Sequence, residues 1–291
     1  MMKKNEVKGY LFLIPVLLLV AVFLFYPFLR GAYISFFKTK YGYGDMQFYG
    51  LNNYIKVLQD QFFGTALKNS LIWVVVCTAL NMIIPTAIAL LMNHEFRGKQ
   101  VATAAILIPW LTPVVGLAMM FKWILEPEVG VLNTFLQNAG LVETGINFIG
   151  STTLAFPVLM LLNCFQFCPF GVLLNLSALS TISEDLYEAM RIDGASNWDI
   201  FKKLILPSIS KMVGFLMFLG IVWAFSSYSL IYIMTKGGPS YSTFTIPIMI
   251  YEKAFQNINV GRSTALATLT GVVMIILGFL YFKFMYKTDD E

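Results

Sequence analysis

Charge is what this sequence has least of. Lysine, arginine, aspartate and glutamate make up 12% of the 291 residues, against roughly a quarter in an ordinary soluble domain. Histidine occurs once, as His94 in a short charged hinge with Glu95 and Arg97, so no His-rich metal or general-base constellation can be built. The three cysteines, Cys77, Cys164 and Cys168, all sit in apolar runs and suggest no disulfide framework. Cys164 and Cys168 share a helix face, but the further ligands a metal would need are missing. No Walker-type G-x-x-x-x-G-K-[ST] is present; "TKGGPS" at 235–240 is not a P-loop. With no catalytic set and no metal set, the chain reads as something other than an enzyme. The formal net charge of +4 is scattered between hydrophobic stretches, which gives no basic patch for a nucleic acid.

What is there is hydrocarbon. Hydrophobic residues reach 58%, aromatic residues 15% and mean hydropathy +0.72. Six runs without a single charge are long enough to cross a bilayer: Tyr10–Leu29, Leu71–Met92, Val101–Phe121, Leu154–Ala178, Met212–Met234 and Thr264–Phe282. The chain therefore reads as one all-α integral membrane domain over residues 1–291. The first run follows Lys3, Lys4 and Lys8, but it lacks a small-residue cleavage pattern and reads as an uncleaved helix.

Six spans place both termini on one side. With that side cytoplasmic, Lys3, Lys4, Lys8, Arg97, Lys99, Arg191, Lys202, Lys203, Lys211, Lys283 and Lys287 lie in short inner segments. The outer loops are longer, and residues 126–153 hold no basic residue, so the density of positive charge favours cytoplasmic termini. The outer stretch from Arg30 to Asn69 is rich in tyrosine and phenylalanine, as suits chain at headgroup level. Lys122 stands four residues before Glu126, a spacing that allows an ion pair.

The largest inner segment, residues 183–207, is compact and charged. Ser183 can cap a first short helix with Glu184 and Asp185 in its opening turn. Gly194 allows a reversal. Ser196 and Asp199 form a capping-box pattern for a second helix to about Lys203, and Pro207 suits the first turn of the next span. The first helix displays Glu188, Ala189 and Asp193. The second carries Trp198, Ile200, Phe201 and Leu204, an apolar face that would anchor the unit to the spans.

"EAMRIDGASNWDIFKKLILP", residues 188–207, resembles the EAA loop of permease subunits in ATP-binding-cassette importers. Glu188, Ala189, Gly194, Leu206 and Pro207 match its pattern, while Met190 replaces its second alanine. The likeness extends through "FYGLNNYIKVLQDQFFGTALKNS", "LIPWLTPVVGLAMMFKWIL" and "IMTKGGPSYSTFTIPIMIYEKAF", which are similar to the sugar-importing class of maltose-importer type, first-permease form. The resemblance implies a type I importer permease fold in a bacterial or archaeal plasma membrane. It also implies a second, related permease, two cytoplasmic ATPase subunits that bind ATP and magnesium, and an extracytoplasmic sugar-binding protein. Glu188, Ala189, Asp193, Gly194, Leu206 and Pro207 would then couple the chain to an ATPase.

A sugar path would need amides for hydroxyls and aromatic faces for pyranose rings. Asn163, Gln166 and Phe170 recur at helical spacing on the fourth span, and Trp223, Ser227 and Leu230 on the fifth, with Tyr228 adjacent. The resemblance places sugar contacts on these two spans. Hydrogen bonding between helices is the competing role for the amides. Asn81 with Pro85, and Pro109 with Pro113, read as residues that shape helices. The rival functions are an importer permease for a polyol or glycerol phosphate and an ion-coupled secondary transporter, although charge-free spans offer no coupling site for an ion.

Overall fold

The structure, a computed structural model, describes residues 13–287. In chain order its helices are α1 Leu13–Ile34, α2 Asn52–Leu58, α3 Phe63–Met92, α4 Lys99–Leu111, α5 Val114–Ile124, α6 Val131–Asn138 and α7 Ala155–Leu179. These are followed by α8 Glu184–Ile192, α9 Asn197–Phe225, α10 Ser229–Thr235, α11 Ile246–Tyr251 and α12 Val260–Lys287. Two short strands, β1 Phe37–Lys38 and β2 Gln47–Phe48, pair antiparallel with Phe37 opposite Phe48. Among the described residues, α1, α3, α7, α9 and α12 are each long and apolar enough to cross a membrane, and α4 with α5 makes a sixth if the bent pair counts as one span.

The first, second, third and fifth spans differ in detail from the sequence reading. Tyr10, Leu11 and Phe12 of the first run lie outside the described residues, and α1 continues past Leu29 to Ile34. The second starts at Phe63, not Leu71, because Lys68, Asn69 and Ser70 stop a hydropathy window but not a helix. The third is two helices bent by 96°. Thr112 there is extended, with ψ 127°, the conformation that a following proline imposes on its neighbour, and Pro113 opens α5. The expected fifth rod, Met212–Met234, stops at Phe225; Ser226–Tyr228 breaks it before α10.

Two prolines inside spans, Pro27 and Pro207, are accommodated by one local device. The stretch before Pro27 winds as a π turn, Ala21–Phe25, with the Tyr26 N–H donating to Ala21 O. The same happens before Pro207, where Phe201–Ile205 is a π turn and the Leu206 N–H donates to Phe201 O. Proline cannot donate to the carbonyl four residues back and its ring crowds that carbonyl, and a wider turn relieves the crowding.

The chain divides into two compact units. In the first, which holds the described part of residues 1–64 with 249–277, the β-hairpin serves as a terminal cap. The first N–H groups of α12 donate to it, Val260 N to Lys40 O and Gly261 N to Thr39 O, both at 3.2 Å. Asn53, itself buried, donates to Ser35 O and Phe37 O at 2.9 and 2.7 Å. Within the hairpin loop, hydrogen bonds from the Thr39 hydroxyl and the Lys40 N–H hold the Asp45 carboxyl below its ordinary pKa. Tyr43 and Phe48 are 72% and 75% exposed, in keeping with an interfacial loop. Lys253, nearly buried, pairs with Asp60. Burial pushes the Asp60 carboxyl up, but the hydrogen bonds from Lys253 and the Phe62 N–H outweigh it, so the group lies below its usual range.

The second unit comprises residues 65–248 with the described residues from 278 onward. Its centre is α7, 56% buried over its apolar window, where α1 of the first unit is 0% buried within the chain. Ala89 and Met92 of α3 pack with Cys164, Cys168, Val172 and Leu179 of α7 and Ile209 of α9. Trp73 stacks on Phe156 with centroids 5.6 Å apart, and Asn81 Nδ2 donates to Asn163 Oδ1 at 3.1 Å. Asn175 Nδ2 donates to Thr86 Oγ1 and to Gly171 O. The segment after α5 is closed by Asn133, fully buried, which donates to Glu126 O and Ile146 O and accepts from Ile146 N. Glu126 does not form the expected pair with Lys122; its carboxylate accepts from the N–H groups of Glu128 and Val129, at 2.8 Å each, where the donors are closer and need no long side chain held still.

Candidate functional site

The charged segment folds as a helix, a glycine stop and a second helix. The first, α8, ends in a Schellman motif: Ala195 N donates to Met190 O and Gly194 N to Arg191 O. This closure needs a left-handed residue after the cap, and Gly194 supplies φ 77°. Ser183 stands at the N-cap without a side-chain hydrogen bond to the helix, so the expected cap is positional only. The second start is a full capping box, with the Ser196 hydroxyl accepting from Asp199 N and the Asp199 carboxylate accepting from Ser196 N.

Tyr187 and Met190 turn partly inward, while Leu186, Glu188, Ala189, Ile192 and Asp193 form one exposed face. Burial raises the Tyr187 phenol above its ordinary pKa. Glu188 and Asp193 form no ion pair among the described residues, and Ile192 is 85% exposed. Ala189 and Gly194 keep this face low, and nothing lies within 4 Å of a Cβ built on Gly194.

Two expectations change here. The second helix does not end near Lys203; it runs through the π turn and Pro207 into α9 without a break, from Asn197 to Phe225. Leu206 and Pro207 are therefore exposed residues within a span. Trp198 is also not an anchor. It stacks on Phe201 at 5.4 Å yet stays 68% exposed, while Ile200 is the buried residue of that turn. A short helix aims only one of its faces at the core, and here Ile200 takes that face.

At the other end of α9 lies a cavity of about 350 Å³, lined by Asn163, Gln166, Phe167, Trp223, Ser226, Ser227, Tyr228, Ser229, Leu230 and Val114. Five of the six path residues, Asn163, Gln166, Trp223, Ser227 and Tyr228, meet there. Phe170 does not: it is one turn further along α7, between Trp110 and Trp223 at 5.4 and 5.2 Å. Trp223, Ser227 and Leu230 converge because the helix breaks, not because they share one face. The amides divide their roles. Asn163 is bonded to Asn81, whereas Gln166, 7% exposed, has an Oε1 with no hydrogen-bond partner among the described residues. A buried amide oxygen left unpaired is costly in a nonpolar setting.

Val114, Ser226 and Ser229 escaped the sequence reading. Their signal was the pair of breakers within apolar runs, Thr112-Pro113 and Ser226-Ser227, since unwound chain inside a membrane domain is kept where it lines a cavity.

Residues 83–288 match the family described as binding-protein-dependent transport system inner membrane component. The trehalose/maltose transport system permease protein MalF of Thermococcus litoralis is 30% identical over 97% of this chain and 95% of its own length. A bacterial ABC transporter involved in the import of the acidic polysaccharide alginate has a chain that superposes with a TM-score of 0.84 at 20% identity, covering 98% of this chain and 96% of that one. The bacterial alginate ABC transporter in complex with a pentasaccharide-bound periplasmic protein gives 0.83 at 20% identity, over 96% and 93% of the two chains. At these identities the two structures show a common fold.

Proposed function

The chain belongs to the binding-protein-dependent transport system inner membrane components, and from that membership we propose that it is the permease subunit of an ATP-driven importer for a sugar or oligosaccharide. Relatives named for trehalose, maltose and alginate support that class of cargo. A periplasmic protein carrying a pentasaccharide in one of the similar structures supports delivery by a binding protein. The partners are a second permease, two ATPase subunits that bind ATP and magnesium, and that binding protein. The site is a bacterial or archaeal plasma membrane, with both termini cytoplasmic.

One observation carries the reading. A single unbroken helix, α9, joins the capping box at Ser196 to the cavity edge at Ser226. Its 29 residues span about 44 Å at 1.5 Å per residue. An ATPase that takes hold of Glu188, Ala189, Asp193 and Gly194 thereby has a lever reaching the cavity, with Leu206 and Pro207 at the lever's base. Closure of the ATPase pair would tilt the lever and change which side the cavity faces. At the cavity, Gln166 supplies an amide group, Ser227 and Tyr228 add hydroxyls, and Trp223 offers a ring face for stacking. Asn163 holds Gln166's turn through Asn81, and Phe170 backs Trp223.

Purification of this chain from its own cells is expected to recover ATPase subunits and a second permease, and uptake by the reconstituted complex should require ATP and the binding protein. Uptake by this chain alone on an ion gradient would overturn the assignment. Within the complex, Gln166→Leu is expected to lower sugar uptake about tenfold at unchanged membrane content, the effect of losing one or two hydrogen bonds of ordinary strength. Uptake assays on proteoliposomes of equal protein content measure it.

A further inference from the structure

The helix that closes the cavity is too short to hold its own position. α10 has seven residues, follows the Ser226–Tyr228 break and ends at Thr235, capped by Lys236, which is left-handed with φ 54°. An isolated helix of that length is unstable, so its place depends on what it packs on and on what holds its far end. It packs on α5. The far end is held by residues 236–246, a turn in which Lys236, Ser240 and Tyr241 all take positive φ that residues other than glycine seldom adopt.

That turn is pinned to α3. Asn69 Nδ2 donates to both Tyr241 O and Phe244 O at 3.0 Å. Both amide hydrogens of this buried side chain are thus used, on carbonyls more than 170 residues away in sequence. Next to it, Ser70 Oγ accepts from Ile246 N at 2.8 Å. Inside the turn, Thr243 Oγ1 donates to Gly238 O and bonds to Thr235 Oγ1 of α10. A continuous run of bonds therefore leads from α3 through the turn to the last residue of α10. The first turn of α10 lines the cavity with Ser229 and Leu230, next to Tyr228.

We propose that Asn69 is a positioning residue for the cavity: by pinning the turn after α10 to α3, it sets where Tyr228, Ser229 and Leu230 stand. The functional weight of this proposal rests on the cavity being the cargo site; its geometry does not. Asn69→Asp keeps the side chain's size but brings at most one donor, and only when protonated, to two carbonyls, so at least one of the two bonds is lost. Asn69→Gln keeps the donors.

The test uses the assembled transporter in lipid nanodiscs, with a Ser226→Cys reporter and a membrane-impermeant maleimide, after subtraction of the labelling of the chain without the reporter. Asn69→Asp is expected to raise the labelling rate of Cys at 226 by about three- to tenfold, the range given by loss of hydrogen bonds of ordinary strength. Asn69→Gln should restore most of the native rate. Labelling at the native rate in Asn69→Asp, or an equal rise in both variants, overturns the proposal. If Asn69→Asp does not assemble, Ser70→Ala, which removes only the bond from Ile246 N, decides in the same way with a smaller rise expected. The labelling needs no cargo, so it judges Asn69 separately from the uptake loss in Gln166→Leu, which judges the cargo site.

Discussion

Glu188→Lys is expected to stop ATP-driven uptake while the chain still folds, inserts and assembles its membrane part. Glu188 lies on the exposed face of α8 with no ion pair among the described residues, so reversing its charge removes nothing that holds this chain together. Lysine is as good a helix former as glutamate, and the Schellman closure at Gly194 involves backbone groups only. On the proposed coupling, the cost falls on the interface with the ATPase. A charge reversed against a cleft built for an acid loses a favourable contact and gains a repulsion, together several kcal/mol, so uptake should fall by at least about thirtyfold. Glu188→Gln, which keeps hydrogen bonding, should fall much less. Uptake into proteoliposomes, beside quantitation of the ATPase bound to the purified variant, measures both. Normal import by Glu188→Lys would mean that α8 is not the point of coupling.

Gly171→Val is expected to separate the two central helices. A Cβ at 171 would stand 2.8 and 2.9 Å from Pro85 Cβ and Cγ and 3.4 Å from Asn81 O. A proline ring in mid-helix has no rotamer into which it can retreat, so α7 must move away from α3. The Asn81 to Asn163 bond at 3.1 Å and the Asn175 to Thr86 bond at 3.3 Å lie on either side of this contact and would both stretch. Overpacking of this kind costs about 1–3 kcal/mol or more, so the melting temperature of the detergent-purified chain should fall by about 5 °C or more. Gly116→Ala, with nothing within 4 Å of the added carbon, is expected to melt like the native chain.

The spans and the helix-glycine-helix form of the charged segment were legible because their signals are local. A charge-free run of membrane length announces itself within a window, and Ser196 with Asp199, or Gly194 after α8, act through neighbours in sequence. What the sequence reading missed depends on partners far away or on competition between local rules. Lys68 and Asn69 interrupt hydropathy yet lie within α3, and the partners of Asn69 come from the turn after α10. Pro207 reads as a helix start, but a π turn before it lets two helices fuse into α9. Trp198 shares a helix with Ile200, and only the packed structure shows that Ile200 takes the buried side. At the cavity the residue types were readable, but their convergence follows from a helix break that a fixed 3.6-residue period cannot represent.

The contacts between α3 and α7 also act as a ruler. Trp73 meets Phe156, Asn81 meets Asn163, Pro85 meets Gly171 and Thr86 meets Asn175, in the same order along two parallel helices. In hydrocarbon no solvent penalty opposes sliding one apolar helix along another, so register must come from such keyed positions. A slip by one helical turn, about 5.4 Å, would part both hydrogen-bonded pairs at once and drive Pro85 against a residue larger than glycine. The two helices are thereby keyed against sliding along one another, and a conformational cycle is expected to carry them as a single piece.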